Sequence, residues 1–372
     1  MRSESRTTPA DASREVTETL VRAFRRAARE ERRAVGTEHV LHALLDGESA
    51  ARDLVASTVR DTGALMGTIN AKGDEHWTGR DDAGDGTPAG PAVMAVLREA
   101  AWTAGGGAQS PRPTGALTAA LAHALRSAGE HGVSLANPSH LLVGLLHDPG
   151  NRACEALLER RIDRGALVAA VTDHPSVRRD GARTSRCVDG LRHMGMLTRR
   201  GAYWSRLARA LSSGGFGSPI MLTVRREAKR QAVRLGHPEV TAPHLLLGML
   251  VLDDELAHAG LALRDEWTRV NKGAELLRER GVTLADVANA PVLAPAEGDV
   301  QDPSGPRMHE EVEATLNRAR LLRNERKDPS TGTTHLLAAL VAEPDGPCDT
   351  LLTSLGVKTG ELCEALGQAD TN

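Results

Sequence analysis

The run GTEHVLHALL, residues 36–45, recurs in three variants: NPSHLLVGLL at 137–146, TAPHLLLGML at 241–250 and TGTTHLLAAL at 331–340. Each variant is a polar start, a histidine and an apolar run. With the histidines as rulers, His39, His140, His244 and His335 lie 101, 104 and 91 residues apart. The polar start reads as the beginning of a helix. Thr37, Asn137, Thr241 and Thr333 are residue types whose side-chain oxygen accepts an orphan backbone N–H at an N-cap. Pro138 follows Asn137 at the first helical position, where proline is tolerated.

Upstream of each histidine the spacing predicts a longer amphipathic helix. Val16, Leu20, Phe24 and Ala27 fall at i, i+4, i+8 and i+11, and Leu117, Leu121, Leu125 and Ala128 keep those offsets in the second copy. SPIMLTVRREAKRQAVRLGH (218–237) and MHEEVEATLNRARLLRNE (308–325) have the same period shifted by about one residue. Downstream, ACEALLERRIDRGALVAAV (153–171) and CDTLLTSLGVKTGELCEAL (348–366) nearly superimpose in pattern. AELLRERGVTLADVA (274–288) is the same tail, and ARDLVASTVRDTGALMGTI (51–69) a degenerate one. Each copy is one helical unit too small to bury its own stripe, so copies must pair.

This predicts an all-α fold of two domains, each a pseudo-twofold pair of repeats. The first spans 12–172, with repeats at about 13–70 and 113–172 and an inserted helix over 91–104 between Gly-rich loops. The second spans 217–368, with repeats at about 218–289 and 307–368. Residues 1–11 are expected as a disordered tail and 173–216 as an Arg-rich linker. Across 177–209 that linker holds nine arginines against two aspartates.

The bulk composition agrees with packed helices. Of 372 residues, 40% are apolar but only 2% aromatic, which leaves Leu, Ala, Val and Met to fill the core. A net charge of −3 demands no polyanionic partner. Cys154, Cys187, Cys348 and Cys363 form no CxxC pair, so neither a disulfide framework nor a zinc site is expected. The N-terminus has no apolar signal region, and no apolar run approaches the ~18 residues of a membrane span. A reducing cytoplasm and no membrane partner are the expectation.

GTEHVLHALL, GTTHLLAALV (332–341) and the tails ALLERRIDRGALVAAV and TLLTSLGVKTGEL resemble the Clp N-terminal (Clp R) repeat. Two copies of that repeat form the all-α amino-terminal domain of Clp-type AAA+ unfoldases, and the resemblance covers most of this chain. The ATPase modules of such unfoldases need G-x-x-x-x-G-K-[ST] to hold nucleotide phosphates. The sequence has no such string, since GVKTG (356–360) lacks the upstream glycine spacing. The resemblance therefore implies substrate-receptor domains without the motor.

In the family the N-domain docks adaptors, unstructured peptides and, in some members, phosphorylated arginine. The acid of the T-E-H motif receives the guanidinium, and a hydroxyl at the start of the repeat's first helix helps to hold the phosphate. Only Glu38 keeps the acid here; Ser139, Pro243 and Thr334 replace it in the other copies. The hydroxyl matches as Ser13 and Thr114, while Ser218 and His309 stand at the later places. The resemblance thus implies at most one half-site, in a first-domain groove lined by Ser13, Glu38, Thr114, Thr118 and Ser139.

Other chemistry finds little support. The four motif histidines are expected to be structural, and His39 with His42 lacks a third metal ligand nearby. No G-x-S-x-G occurs, no cysteine has a histidine context, and Glu38 has no partner carboxylate near it in sequence. No enzyme activity and no cofactor are expected. The leading expectation is a binding protein, adaptor or decoy, whose partners are a Clp-type AAA+ unfoldase, its substrates or peptide-like ligands. The alternative is a nucleic-acid-binding regulator using RHMGMLTRRGAYWSRLARAL (192–211), a basic segment bearing Tyr203 and Trp204.

Overall fold

The computed structural model describes residues 10–73, 76–82, 89–105, 111–183, 185–197, 218–296 and 305–368. They form two compact units, the first ending at Arg183 and the second starting after it. Nineteen α-helices, two short 3-10 helices and six two-residue strands make up the regular structure of the described residues. The fold is all-α, as the periodicity predicts. No helix among the described residues is long and apolar enough to cross a membrane.

In the first unit, copy one supplies α1 (Arg14–Arg29), α2 (Thr37–Leu45), α3 (Ala50–Val55) and α4 (Val59–Lys72). The inserted helix α5 (Pro91–Ala104) follows. It starts on a proline and stops at Gly105, whose φ of 79° suits a residue without Cβ. Copy two supplies α6 (Gly115–Glu130), α7 (Pro138–His147), α8 (Arg152–Glu159) and α9 (Arg164–Asp173). The stripe residues of α1 and α6 are all buried.

Two short parallel ladders tie the copies together. β1 (Asp11–Ala12) pairs with β4 (Leu135–Ala136), and β2 (Ala34–Val35) pairs with β3 (Arg112–Pro113). The strand before one copy's first helix thus meets the strand before the other copy's second helix, in both directions. That reciprocity is the expected pseudo-twofold. α5 lies along α1 and also meets α6, so the insertion occupies the space between the two first helices.

The second unit contains α10 (Arg186–His193), α11 (Pro219–Leu235), α12 (Ala242–His258), α13 (Asp265–Thr268), α14 (Gly273–Arg278) and α15 (Leu284–Ala288). It continues with α16 (Glu310–Arg326), α17 (Thr333–Leu340), α18 (Pro347–Ser354) and α19 (Thr359–Gln368). One ladder, β5 (Glu239–Val240) with β6 (Arg307–Met308), repeats the β2–β3 relationship.

Four residues after each histidine stands a small one: Ala43, Gly144, Gly248 and Ala339. At Gly144 and Gly248 the two helices of a copy come into close backbone contact. A Cβ on Gly144 would fall 2.0 Å from the Ala120 carbonyl oxygen, and one on Gly248 would fall 2.7 Å from the Ala228 nitrogen.

Three expectations are corrected. The Arg-rich linker is shorter than 173–216. Residues 174–182 remain in the first unit, with Val177 buried, and 185–197 join the second. There Val188 and Leu191 of α10 and Met196 and Leu197 just after it enter the core. The N-terminal tail is also shorter, since Asp11 and Ala12 are held as β1. Finally, Thr37 and Thr333 are first helical residues, with Gly36 and Gly332 as the N-caps.

Candidate functional site

The four motif histidines act alike. Each sits at the third helical position, and its Nδ1 accepts the N-cap backbone N–H. The donors are Gly36 (3.1 Å), Asn137 (3.1 Å), Thr241 (3.0 Å) and Gly332 (3.1 Å). This is the reach-back half of a capping box, with imidazole in the place of Glu or Gln. His39 Nδ1 also faces the Glu38 carboxylate; in the other three an accepting Nδ1 leaves the proton on Nε2. That nitrogen donates to Val177 O from His140 at 2.9 Å and to Asp328 Oδ2 from His335 at 3.0 Å. From His244 it reaches His237 Nδ1 at 2.9 Å, and His237 in turn donates to Ala294 O. Burial holds His140 and His244 down to about 4, so both rings are neutral.

The five residues expected along one groove divide between two pseudo-equivalent places. Ser13 caps α1 beside the start of α7, where Ser139 stands. The chain itself covers this place. Ser139 shares a 2.7 Å hydroxyl contact with Ser176, and Asn137 Nδ2 donates to the carbonyls of Ser176 and Arg179. Arg14 N–H donates to Ala182 O, and a Cβ on Gly181 would lie 2.2 Å from Ser13 Cβ. Ser13 and Ser139 are each 1% exposed.

Glu38 and Thr114 come together at the other place, where the start of α2 meets the start of α6. They belong to different copies, and the β2–β3 ladder joins those copies here. Glu38 Oε1 lies 3.0 Å from His39 Nδ1 and 3.2 Å from Arg152 Nη1. Burial pushes the Glu38 carboxyl up, but its His39 and Arg152 contacts outweigh this and hold it below the usual range. Thr118, half-buried, donates its hydroxyl to Thr114 O within α6.

The sequence reading missed Asp81, which is fully buried at this second place. Its carboxylate accepts from the Thr37 amide (2.5 Å), the Thr37 hydroxyl (3.0 Å), the Arg152 amide (2.9 Å) and the Thr114 hydroxyl (3.5 Å). Burial and the neighbouring Glu38 charge push Asp81 above the usual carboxylate range.

Beside Glu38 opens a cavity of about 750 Å³. The last turns of α1 give it Arg22, Arg26 and Arg29, the chain just after α1 gives Glu30 and Arg32, and α2 gives Glu38, His39 and His42, with Asp46 at its end. Met66 and Ile69 of α4 with Trp77 supply an apolar side. Burial, then the Arg26 charge, holds His42 at about 4, so the positive charge of the wall is guanidinium. Lys72 lies 4.8 Å from the Trp77 ring centroid and pairs with Glu155, which fixes that ring.

Burial pushes Cys154 to about 11 and Cys187 to about 12, and pushes Cys348 up as well.

No curated protein matches the chain. Residues 271–370 match the family described as the Clp repeat (R) N-terminal domain. The match runs through the tail of the third copy and the whole of the fourth, so the similarity falls within the second unit.

Proposed function

We propose that the protein is a non-enzymatic binding module related to the N-domains of Clp-type AAA+ unfoldases. It captures peptides or peptide-like ligands as an adaptor or decoy of the Clp proteolytic system. The supporting observation is the arginine-walled cavity beside Glu38. The space between α1 and α6 is taken by α5, and the helix starts are covered by the chain's own residues. The cavity is then the receptive face of the first unit. Four guanidiniums and three carboxylates, with Glu30 pairing Arg26 and Arg32, face Met66, Ile69 and Trp77, and suit a segment with a polar or charged group next to an apolar one. A decoy sharing ligands with an unfoldase N-domain competes by mass action and needs no chemistry of its own.

Two measurements separate the roles. An adaptor is retained by an immobilised Clp-type unfoldase and also binds, in calorimetry, the peptide-like ligands that target the unfoldase N-domain. A decoy binds those ligands but is not retained. Arg26→Ala with Arg29→Ala should weaken ligand binding at least about tenfold. Absence of both interactions would remove the proposal. The nucleic-acid alternative gains nothing from the described part of 192–211, where Met196 and Leu197 are in the core and Arg192 pairs with Asp189. Tyr203 and Trp204 lie outside the described residues.

A further inference from the structure

Residues 185–197 belong to neither repeat of the second unit, yet they are docked on it as an arm. α10 lies against α11 and α12, and Val188 and Leu191 are buried there. Under the start of the arm sit two acids. Glu227 of α11 is fully buried and Glu255 of α12 is 6% exposed.

Both acids contact one cation. Arg230 Nε lies 2.9 Å from each Glu227 oxygen, and its Nη2 lies 2.8 Å from Glu227 Oε1 and 3.2 Å from Glu255 Oε1. Gln231 donates to Glu227 at 2.7 Å. The second oxygen of Glu255 serves the arm: Oε2 accepts from the Ser185 hydroxyl (2.5 Å) and the Ser185 amide (3.3 Å). The Cys187 thiol of α10 also faces the pair, and burial keeps it protonated. Nearby charges turn to other partners. Asp253 pairs with Arg278 of α14, Asp254 with His258, Asp189 with Arg192, and Arg225 with Glu313 of α16.

Arg230 brings one positive charge to two carboxylates held out of water. A proton on one of them removes the excess negative charge at the least cost. Burial and the Glu227 charge push the Glu255 carboxyl up to about 7. A lone glutamate would hold the Ser185 donors at any pH above the usual acid range. Glu227 beside it makes that hold depend on a proton.

We propose that Glu227 and Glu255 are a proton-dependent latch for α10: with a proton on the pair the helix stays docked, and when the proton leaves, α10 lifts from its Ser185 end so that water reaches Glu255. The lifted helix uncovers the apolar surface under Val188 and Leu191. The sign follows from linkage. An acid raised in the docked state favours docking most below pH 4.5, and that contribution is lost as the pH rises through 7. The latch involves neither the cavity of the first unit nor any Clp partner, so it stands or falls separately from the proposed function.

Hydrogen–deuterium exchange of the full chain at pH 5.5 and 7.5, read by mass spectrometry and corrected for the intrinsic pH dependence of amide exchange, tests the latch. Protection of the α10 amides relative to those of α12 should fall at least about tenfold at the higher pH. Glu255→Gln, uncharged at both pH values, should keep α10 protected and remove most of the difference. Ser185→Ala is the second variant, and it should lower α10 protection at pH 5.5 while leaving α12 as in the wild type. Equal protection of α10 at the two pH values overturns the proposal, as does an equal fall in wild type and Glu255→Gln. A fall shared by α12 overturns it too, because the whole unit then opens rather than its arm.

Discussion

His140 and Val177 are joined by a 2.9 Å hydrogen bond from imidazole Nε2 to carbonyl oxygen, and that bond ties the second repeat to the residues beyond α9. The same ring receives the Asn137 amide on its other nitrogen, so one neutral imidazole closes a helix start and anchors a distant strand of chain. His335 does this with Asp328 and His244 with His237. His140→Ala should lose both bonds and leave a void, at about 2–4 kcal/mol. His140→Gln should recover about 1 kcal/mol, because glutamine at the third helical position also reaches back to the cap. Denaturant titration of the three proteins checks the order wild type, Gln, Ala.

The pH dependence has opposite signs within the second unit. His244 is held at about 4, below the usual 6.5. Its contribution is present above pH 6.5 and is lost as the pH falls through 4. Glu255 is raised to about 7 by burial and by the neighbouring Glu227 charge, from a usual 4.5. A raised acid favours the folded state below pH 4.5, and that contribution disappears as the pH rises through 7. Glu255→Gln should therefore raise stability at pH 8, by up to about 3 kcal/mol, and leave it unchanged at pH 4.5. Thermal melting in the two buffers gives the answer.

How much of this was legible follows from the distance over which each signal acts. The stripes from Val16 to Ala27 and from Leu117 to Ala128 are local periods, and they gave helices that bury those residues. The helix over 91–104 was bracketed by glycines and appears at those bounds. A cap is subtler: Gly36 has no side chain to announce it, and the chain places its extended residue there, one before Thr37. Asp81 is harder still. In RDDAGDG nothing separates it from Asp82; only bonds across 44 residues to Thr37 and 71 to Arg152 do. Likewise, one groove was expected for Ser13, Glu38, Thr114 and Ser139, but the ladders that sort them into two places, β1–β4 and β2–β3, are two residues long and leave no signal in the sequence.

The small residue four places after each histidine makes a sharp packing prediction. Gly144→Ala should gain about 1 kcal/mol of helix propensity but push a methyl 2.0 Å from a backbone oxygen of α6, which no rotamer relieves. Overpacking against backbone should dominate and destabilise the first unit by about 2 kcal/mol or more. Gly129→Ala is the control. That glycine lies in α6 with nothing within 4 Å of an added Cβ, so the change should be neutral or stabilising by up to about 1 kcal/mol. If both substitutions behave alike in denaturant titration, the close approach of α6 and α7 is not what selects glycine at 144.

The boundary of the second unit can be tested by truncation. Val188, Leu191, Met196 and Leu197 are at most 1% exposed within its core. Leu197 bridges to Leu263, the Arg264 amide donates to Met196 O, and Ser185 donates to Glu255. Four buried apolar side chains at about 1.5–3 kcal/mol each amount to 6 kcal/mol or more, comparable with the whole stability of an ordinary domain. A fragment of residues 184–372 should therefore melt cooperatively, whereas 218–372, cut where composition alone puts the domain start, should show no cooperative transition or one at least about 10 °C lower. Equal melting of the two fragments would mean that α10 rests on this core without supporting it.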